Sequence, residues 1–268
     1  QPRSRGLGDV YKRQELEDNY IFVVINIPAI RGNDMYDTVP LGIFLTPDFF
    51  ITVCLEESEV LYPFISNQLS TFYTYKKTRF LFQILYRTAT LFLRYLQQIN
   101  RRTDDIEIQL RHTTKNKDFF QLLELQKSMT YFTSALRTNG TVMERLLRLR
   151  GHSTYRHLLK MYEEDEDLLE DVIIENKQAI EMVEMYSNIL MNMMNAFTSI
   201  ISNNLNMVMK MLATLTITMA VPTIIFSLWG TNVHLPFQDD PDGFVKVVII
   251  SVICSAIAIF GMWKKDLF

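Results

Sequence analysis

The chain has 268 residues, 48% of them hydrophobic, with 27 basic against 30 acidic residues and a net charge of -3. That balance, with no basic stripe interleaved with aromatics, argues against a nucleic-acid partner. The two cysteines, Cys54 and Cys254, are too far apart for a disulfide framework or a metal knuckle and are expected to be ordinary buried residues.

Residues Gln1 to Gln14 have no Met at the start and no apolar periodicity. They resemble translated sequencing-adaptor sequence and are set aside, with the expectation that the true start of the first domain is missing. From Tyr20 the runs YIFVVINIP, LGIFLTP and FFITVCLE are rich in β-branched and aromatic residues and punctuated by Pro28, Pro40 and Pro47. They predict the strands of one mixed sheet. After Pro63 no proline recurs until Pro222, which predicts helix. The helices are placed at Glu57 to Ser70, Tyr75 to about Thr113, Asn116 to about Arg137, a break at Asn139 and Gly140, and a short helix to Arg150, closed by Gly151. From about Glu163 to Trp229 there is no Gly, so a single helix on the order of 100 Å is expected.

The last sixty residues hold two apolar spans, Leu212 to Trp229, which carries no charge, and Phe244 to Trp263, whose single charge is Lys246 near its start. Each matches the roughly 18 to 20 residues that cross hydrocarbon. Between them, GTNVHLPFQDDPDG has no Lys or Arg but carries Asp239, Asp240 and Asp242, while Lys210 precedes the first span and Lys264 and Lys265 follow the second. The positive-inside rule then puts both termini in the cytoplasm, in the plasma (inner) membrane, with Trp229 and Trp263 at the interfaces. The expected domains are an adaptor-like segment 1–14, a cytoplasmic α+β domain 15–160, a stalk 161–211, spans 212–229 and 244–263, an external loop 230–243 and a tail 264–268.

Two stripes run along the long helix. Met182, Tyr186, Ile189, Met193, Phe197, Ile200, Asn204, Met207 and Met211 recur at the helical period as an apolar packing face. Asn195, Ser199, Ser202, Asn206, Met209, Ala213, Thr216, Ala220, Thr223 and Ser227 form a narrow uncharged line that continues into the membrane. Such a line is either a tight helix-helix contact or a pore wall. One hairpin cannot enclose a pore, so the second reading requires an oligomer around an axis, with the first span inside.

The run SNNLNMVMK from Ser202 to Lys210, the first span, then Trp229, Gly230, Thr231, Asn232, the loop through Phe237, a second span and closing lysines resemble the CorA family of divalent-cation channels. The family's Gly-Met-Asn signature is matched at Gly230 and Asn232, with Thr231 in the middle position. The resemblance implies a homopentamer whose first membrane helix lines the pore, with Gly230, Thr231 and Asn232 as selectivity filter and Mg2+ as the transported ion. Magnesium sheds its water reluctantly, so a ring of amide oxygens suits the hydrated ion. Gly230 is expected to serve the turn and close backbone approach. Asn206 matches the family's inner pore asparagine, Met209 and Leu212 fall where a hydrophobic gate sits, and Asn195 occupies a position where relatives carry Asp.

Asp171 matches a position of the family's inter-subunit regulatory magnesium sites. The acidic run Glu163, Glu164, Asp165, Glu166, Asp167 also suits a plain helix N-terminus. No catalytic set emerges: there is no phosphate-binding Gly-Lys-Ser/Thr loop, and His112, His152, His157 and His234 lack zinc-site spacing. The expected protein is therefore a divalent-cation transporter rather than an enzyme, partnered with the bilayer and its own copies, and free of organic cofactors. Zinc or cobalt/nickel transport within the same superfamily, and a non-transporting membrane-anchored coiled-coil interaction protein, are the alternatives.

Overall fold

The computed structural model describes residues 14–17, 19–32, 35–66, 72–112, 116–149, 155, 157–232, 234–237 and 240–264. The adaptor-like stretch up to residue 13, Gly151, His152, Val233, Asp239, Lys265 and the tail beyond Lys264 lie outside them. The chain divides into two units, Gln1–Met194 and Asn195–Phe268.

In the first unit, β1 (Gln14–Glu17), β2 (Tyr20–Arg31), β3 (Met35–Leu45) and β4 (Phe50–Cys54) form a sheet in that order. Every described pairing is antiparallel, so the sheet is not mixed as its composition suggested. The links between strands are short, and a parallel pair would need a crossover of a dozen residues or more. Alternation fixes the buried face: Ile21, Val23, Ile25 and Ile27 on β2 and Val39, Leu41, Ile43 and Leu45 on β3 are all buried. They pack under α2 (Lys77–His112) and α3 (Asn116–Arg148). Phe132 of α3 stands edge-on to Phe92 of α2, ring centroids 4.9 Å apart, and to Tyr36 of β3. Such aromatic pairs add stabilisation beyond the apolar area they bury.

Pro28 and Pro40 lie inside strands rather than ending them. The reason is an open edge. Among the described residues β1 pairs with β2 as far as Val23, and past that point no described strand lies beside the outer groups of β2. At Asn26 both groups bond to one side chain: the Asn26 N–H donates to Asn139 Oδ1 at 2.9 Å, and Asn139 Nδ2 donates to the Asn26 carbonyl at 2.7 Å. Residues of the same parity present their nitrogens to this edge, so Pro28 forfeits no ladder bond. Pro40, opposite Asn26, faces its nitrogen past the end of the β4 pairing at Leu41.

The expected break at Asn139 and Gly140 is therefore not a break. α3 is continuous, Asn139 is buried, and Gly140 leaves room for Asn176, whose Nδ2 would sit 3.0 Å from an added Cβ. Asn176 in turn donates to the Leu136 carbonyl at 3.1 Å. Both residues read as breakers by propensity, and both are packing devices. The helix expected over Glu57 to Ser70 is also shorter. Only α1, Tyr62–Ile65, forms among the described residues, because Pro63 fits a first turn but cannot continue a helix from upstream. Residues 67–70 of that expectation lie outside the described set.

α4 (Glu163–Trp229) is one helix of 67 residues. Its first turn carries Glu163, Glu164, Asp165 and Glu166, where carboxylates meet the positive end of the helix dipole. Asp165 Oδ2 accepts the Tyr162 N–H at 3.2 Å, half of a capping box. The buried line of α4 in this unit is Leu169, Val172, Asn176, Ala179, Val183 and Leu190. It falls beside the expected stripe: Ile189 is 42% exposed while Leu190 is 1% exposed. α3, which meets α4 at Gln126, Leu136, Arg137 and Gly140, selects the helix face, which periodicity alone leaves free by one residue.

Removing the Asn139 carboxamide leaves the part-buried N–H and C=O of Asn26 without that partner. Asn139→Ala is expected to cost about 2 kcal/mol, measured as a lower thermal unfolding midpoint in detergent, and Asn139→Leu, which also crowds the edge, more.

A candidate cation path along the first membrane helix

The second unit holds the end of α4 and α5 (Gly243–Lys264). Both helices are long and apolar enough to cross a membrane, and only 6% and 17% of their most apolar stretches are buried. A core helix of a soluble protein would be mostly covered. Cys254 is exposed on α5 and Cys54 is half-buried, so neither is the buried residue its composition suggested. On a helix whose solvent is lipid, an exposed thiol carries no penalty of the kind water would impose on an apolar neighbour.

Within the first span, Thr214 is buried and Thr218, Val221, Pro222 and Ile225 are half-buried. Thr214 and Thr218 line a groove with Ile259 of α5, which identifies this side of α4 as the one turned to α5. The uncharged line lies on the other side. At 100° per residue, Ala213, Thr216, Ala220, Thr223 and Ser227 centre roughly opposite the α5-facing residues. Asn195, Ser199, Ser202, Asn206, Met209, Leu212, Thr216, Thr223 and Ser227 are all exposed, and Ala220 is half-exposed. Asn206, which also lines that groove, is the exception; within the span the hairpin's own contact does not use the line.

The hydroxyls on this line have a defined polarity. Ser199 Oγ donates to the Asn195 carbonyl at 3.0 Å, Thr216 Oγ1 to Leu212 at 2.8 Å and Thr223 Oγ1 to Met219 at 2.8 Å. Each O–H is satisfied within its own helix, so each oxygen turns its lone pairs outward. The line presents acceptors. Water bound to a cation presents donors.

α4 ends at Trp229 and the signature follows at once. The Gly230 and Thr231 N–H groups bond the Phe226 and Leu228 carbonyls at 3.0 and 3.2 Å, and Thr231 Oγ1 donates to the Leu228 carbonyl at 2.7 Å. Thr231 therefore caps the helix with its hydroxyl, and Asn232 stands exposed immediately beyond. Gly230 does not supply the special backbone expected of it. It is not at positive φ, and an added Cβ would be in ordinary contact with Phe226 O at 3.4 Å.

The conformational demand falls further on. Phe237 adopts φ +70°, a strained value for a side chain of that size, and a Cβ on Gly243 would stand 2.2 Å from the Phe237 carbonyl oxygen. Trp229 Nε1 donates to the Pro236 carbonyl at 3.2 Å, and Asp240 pairs with Lys246 of α5. These contacts tie the two ends of the hairpin together. Sequence reading assigned Trp229 only an interfacial role and missed Asp240, Gly243 and Lys246 as loop ties; the turn-rich DDPDG run was the available signal.

Asp171 is exposed on α4. Among the described residues of one chain, no three His, Cys, Asp or Glu side chains gather to hold a metal. His234 and His157 are exposed.

A small antiparallel sheet under long helices, with a very long helix and a second apolar helix each long and apolar enough to cross a membrane, is the architecture of a membrane-protein class. The match to the family model for CorA-like Mg2+ transporter proteins covers residues 6–265, and the chain belongs to that family. It is a divalent-cation transporter of the CorA type and not an enzyme. The match begins inside the segment set aside as adaptor-like. The chain is 24% identical over 258 residues to the cobalt/magnesium transport protein CorA of Methanocaldococcus jannaschii, covering 92% of this chain and 77% of that protein. The fold matches the complete structure of the CorA magnesium transporter from Methanocaldococcus jannaschii with a TM-score of 0.80 at 22% identity, covering 98% of this chain and 84% of the other. It also matches the full-length CmaX protein, with a TM-score of 0.72 at 17% identity over 98% and 82% of the two chains.

Two expectations follow for the loop. Gly243→Ala is expected to open it to limited proteolysis while Gly230→Ala leaves the digestion pattern of the wild type. The hydrogen bond from the Lys246 ammonium, with the Asp242 N–H, holds the Asp240 carboxyl below the usual carboxylate range. A depressed acid stabilises the folded loop above its unfolded pKa, near 3.9, and loses that contribution as pH falls through the lower folded value. Loop protection should therefore fall below about pH 4 in the wild type, and Asp240→Asn should flatten the pH dependence.

Proposed function

We propose that the chain assembles as a homopentamer in the inner membrane, both termini cytoplasmic, and conducts hydrated Mg2+ inward through a pore lined by the first span. Ions would enter at a filter of Gly230, Thr231 and Asn232. They would then pass Ser227, Thr223, Ala220 and Thr216, a constriction at Leu212 and Met209, and Asn206, Ser202, Ser199 and Asn195. The observation that carries this reading is the exposed, acceptor-bearing line on the side of α4 away from α5. Magnesium's bound waters point hydrogens outward, so a ring of carboxamide and back-bonded hydroxyl oxygens can hold the ion without stripping its shell. Apolar rings at Leu212 and Met209 can close the path by dewetting.

The driving force is the inside-negative potential, about 2.3 kcal/mol per charge per 100 mV and twice that for a dication. Asp171, exposed on α4, would add a carboxylate to a cation site shared with a neighbouring subunit. Ion binding there would relieve repulsion between subunits and favour closure. Cobalt is a second candidate cargo, favoured by the archaeal relative's being a cobalt/magnesium transport protein and by the hydroxyl of Thr231 in the signature.

Magnesium flux into proteoliposomes tests the assignment. Asn232→Ala should lower flux at least about tenfold, the worth of one charge-assisted hydrogen bond, with the oligomer intact. Thr223→Val, which keeps shape and removes the oxygen, should lower it by a smaller factor. Equal flux in wild type and Asn232→Ala would remove the filter assignment; running the assay with cobalt in place of magnesium ranks the two cargoes.

A further inference from the structure

In the first unit the starts of α2 and α4 meet around a cavity of about 820 Å³. Lys76, Thr78 and Arg79 line it from the start of α2, and Lys160, Tyr162 and Glu163 from the start of α4. That volume is in the range of small-molecule sites. We infer that the cavity binds a nucleoside polyphosphate, with the phosphates at Thr78, Lys76 and Lys160 and the base against Tyr162 and Tyr75. The site is independent of the filter, the pore and the ion carried.

Thr78 is buried, only 5% exposed, in the wall of this cavity. The other threonines of α2, Thr88, Thr90 and Thr103, each donate to the carbonyl four residues earlier at 2.8 to 3.0 Å. Thr78 stands in the first turn, where the helix has no such carbonyl to offer, and its hydroxyl has no hydrogen-bond partner among the described residues. A buried hydroxyl left unbonded carries a cost that a bound acceptor removes. The surrounding charge has the sign for phosphate. α2 opens with Lys77, Thr78 and Arg79 and has no acidic residue in its first turn, so its orphan N–H groups and the positive end of its dipole are left uncompensated by the helix itself. Lys77 is held by the Thr46 and Pro47 carbonyls. Lys76 and Lys160 are exposed and form no ion pair among the described residues; their ammonium groups lie over the rings of Tyr73 at 6.0 Å and Tyr162 at 5.2 Å. Two of the lining acids are engaged, Glu164 with Arg79 at 2.7 Å and Asp165 with the Tyr162 N–H at 3.2 Å. Only Glu163 among them has no described partner. Tyr75 and Tyr162 are 73% and 57% exposed, and aromatic faces beside several cations suit a base joined to more than one phosphate.

Equilibrium dialysis of radiolabelled ATP, with magnesium in excess, against the full chain in dioleoylphosphatidylcholine nanodiscs tests the inference. The wild type should bind ATP saturably, and more tightly than inorganic triphosphate. Thr78→Val, which keeps the shape and removes the oxygen, should weaken ATP about tenfold, the worth of a hydrogen bond to a charged group. Lys76→Gln with Lys160→Gln, both on the surface, should weaken ATP and triphosphate alike by about tenfold, as two exposed ion pairs would, and serves where Thr78→Val fails to assemble. Tyr75→Ala with Tyr162→Ala should weaken ATP about tenfold, the worth of stacking one base, and leave triphosphate binding as it was. Asn232→Ala should bind ATP as the wild type does whether or not it transports, which separates this site from the filter. No saturable binding up to about 1 mM ATP, or triphosphate bound as tightly as ATP, overturns the proposal. So does unchanged ATP affinity in both Thr78→Val and the double lysine variant.

Discussion

Hydrocarbon cannot hydrogen-bond to a polypeptide, and the second unit is built around that constraint. A backbone placed in lipid must satisfy its own N–H and C=O groups, which leaves a helix as the form for each apolar span here. The turn between the helices must lie where water or its own contacts can serve it. In this chain it is served by Trp229, Thr231, Asp240 and Gly243, each tied to a neighbour across the loop or to the helix end. The same solvent governs side chains. A hydroxyl on a span donates back to its own helix, and by doing so becomes an outward acceptor. The chemistry of the candidate path is thus a by-product of what lipid demands of any threonine.

The first unit solves a related problem by different means. Among the described residues its sheet has an open edge along part of β2, and an unpaired strand edge is a site for unwanted pairing. A single asparagine on α3 bonds both backbone groups of Asn26 and closes the edge with a side chain where a strand would otherwise be needed. Prolines are tolerated on the same edge because no ladder bond is asked of them. The helix that carries Asn139 also carries Gly140, which admits Asn176 of α4. One short stretch therefore holds the sheet, α3 and the base of the long helix in register.

The faces of α4 are divided by neighbour. In the soluble unit its buried line meets the domain core. In the membrane unit one side meets α5, and within the span nearly the opposite side carries the uncharged oxygens. A helix that served only as an anchor would have no need of that second polarity. Family membership and the geometry of the line arise from independent observations, one from likeness to known proteins and one from where hydroxyls and carboxamides stand.

Two apolar spans, a breaker-free long helix, the acidic start of that helix, the strand composition and the order of all these elements were legible in the residues, because each depends on local composition or on a period the chain carries with it. The uncharged line was legible for the same reason. What the text could not fix was decided by partners distant in sequence. Asn139 and Gly140 look like a helix stop until Asn26 and Asn176, remote along the chain, are brought against them. The packing stripe of α4 in the first unit shifts by one residue because α3 chooses the face. The glycine that matters in the loop is Gly243 and not Gly230, because only the folded turn brings the Phe237 carbonyl to within 2.2 Å of where a Cβ would be. Sequence alone determines what each segment can become in water or lipid; which atoms must meet is a property of the closed chain, since burial and hydrogen bonding are settled between residues that no local pattern connects.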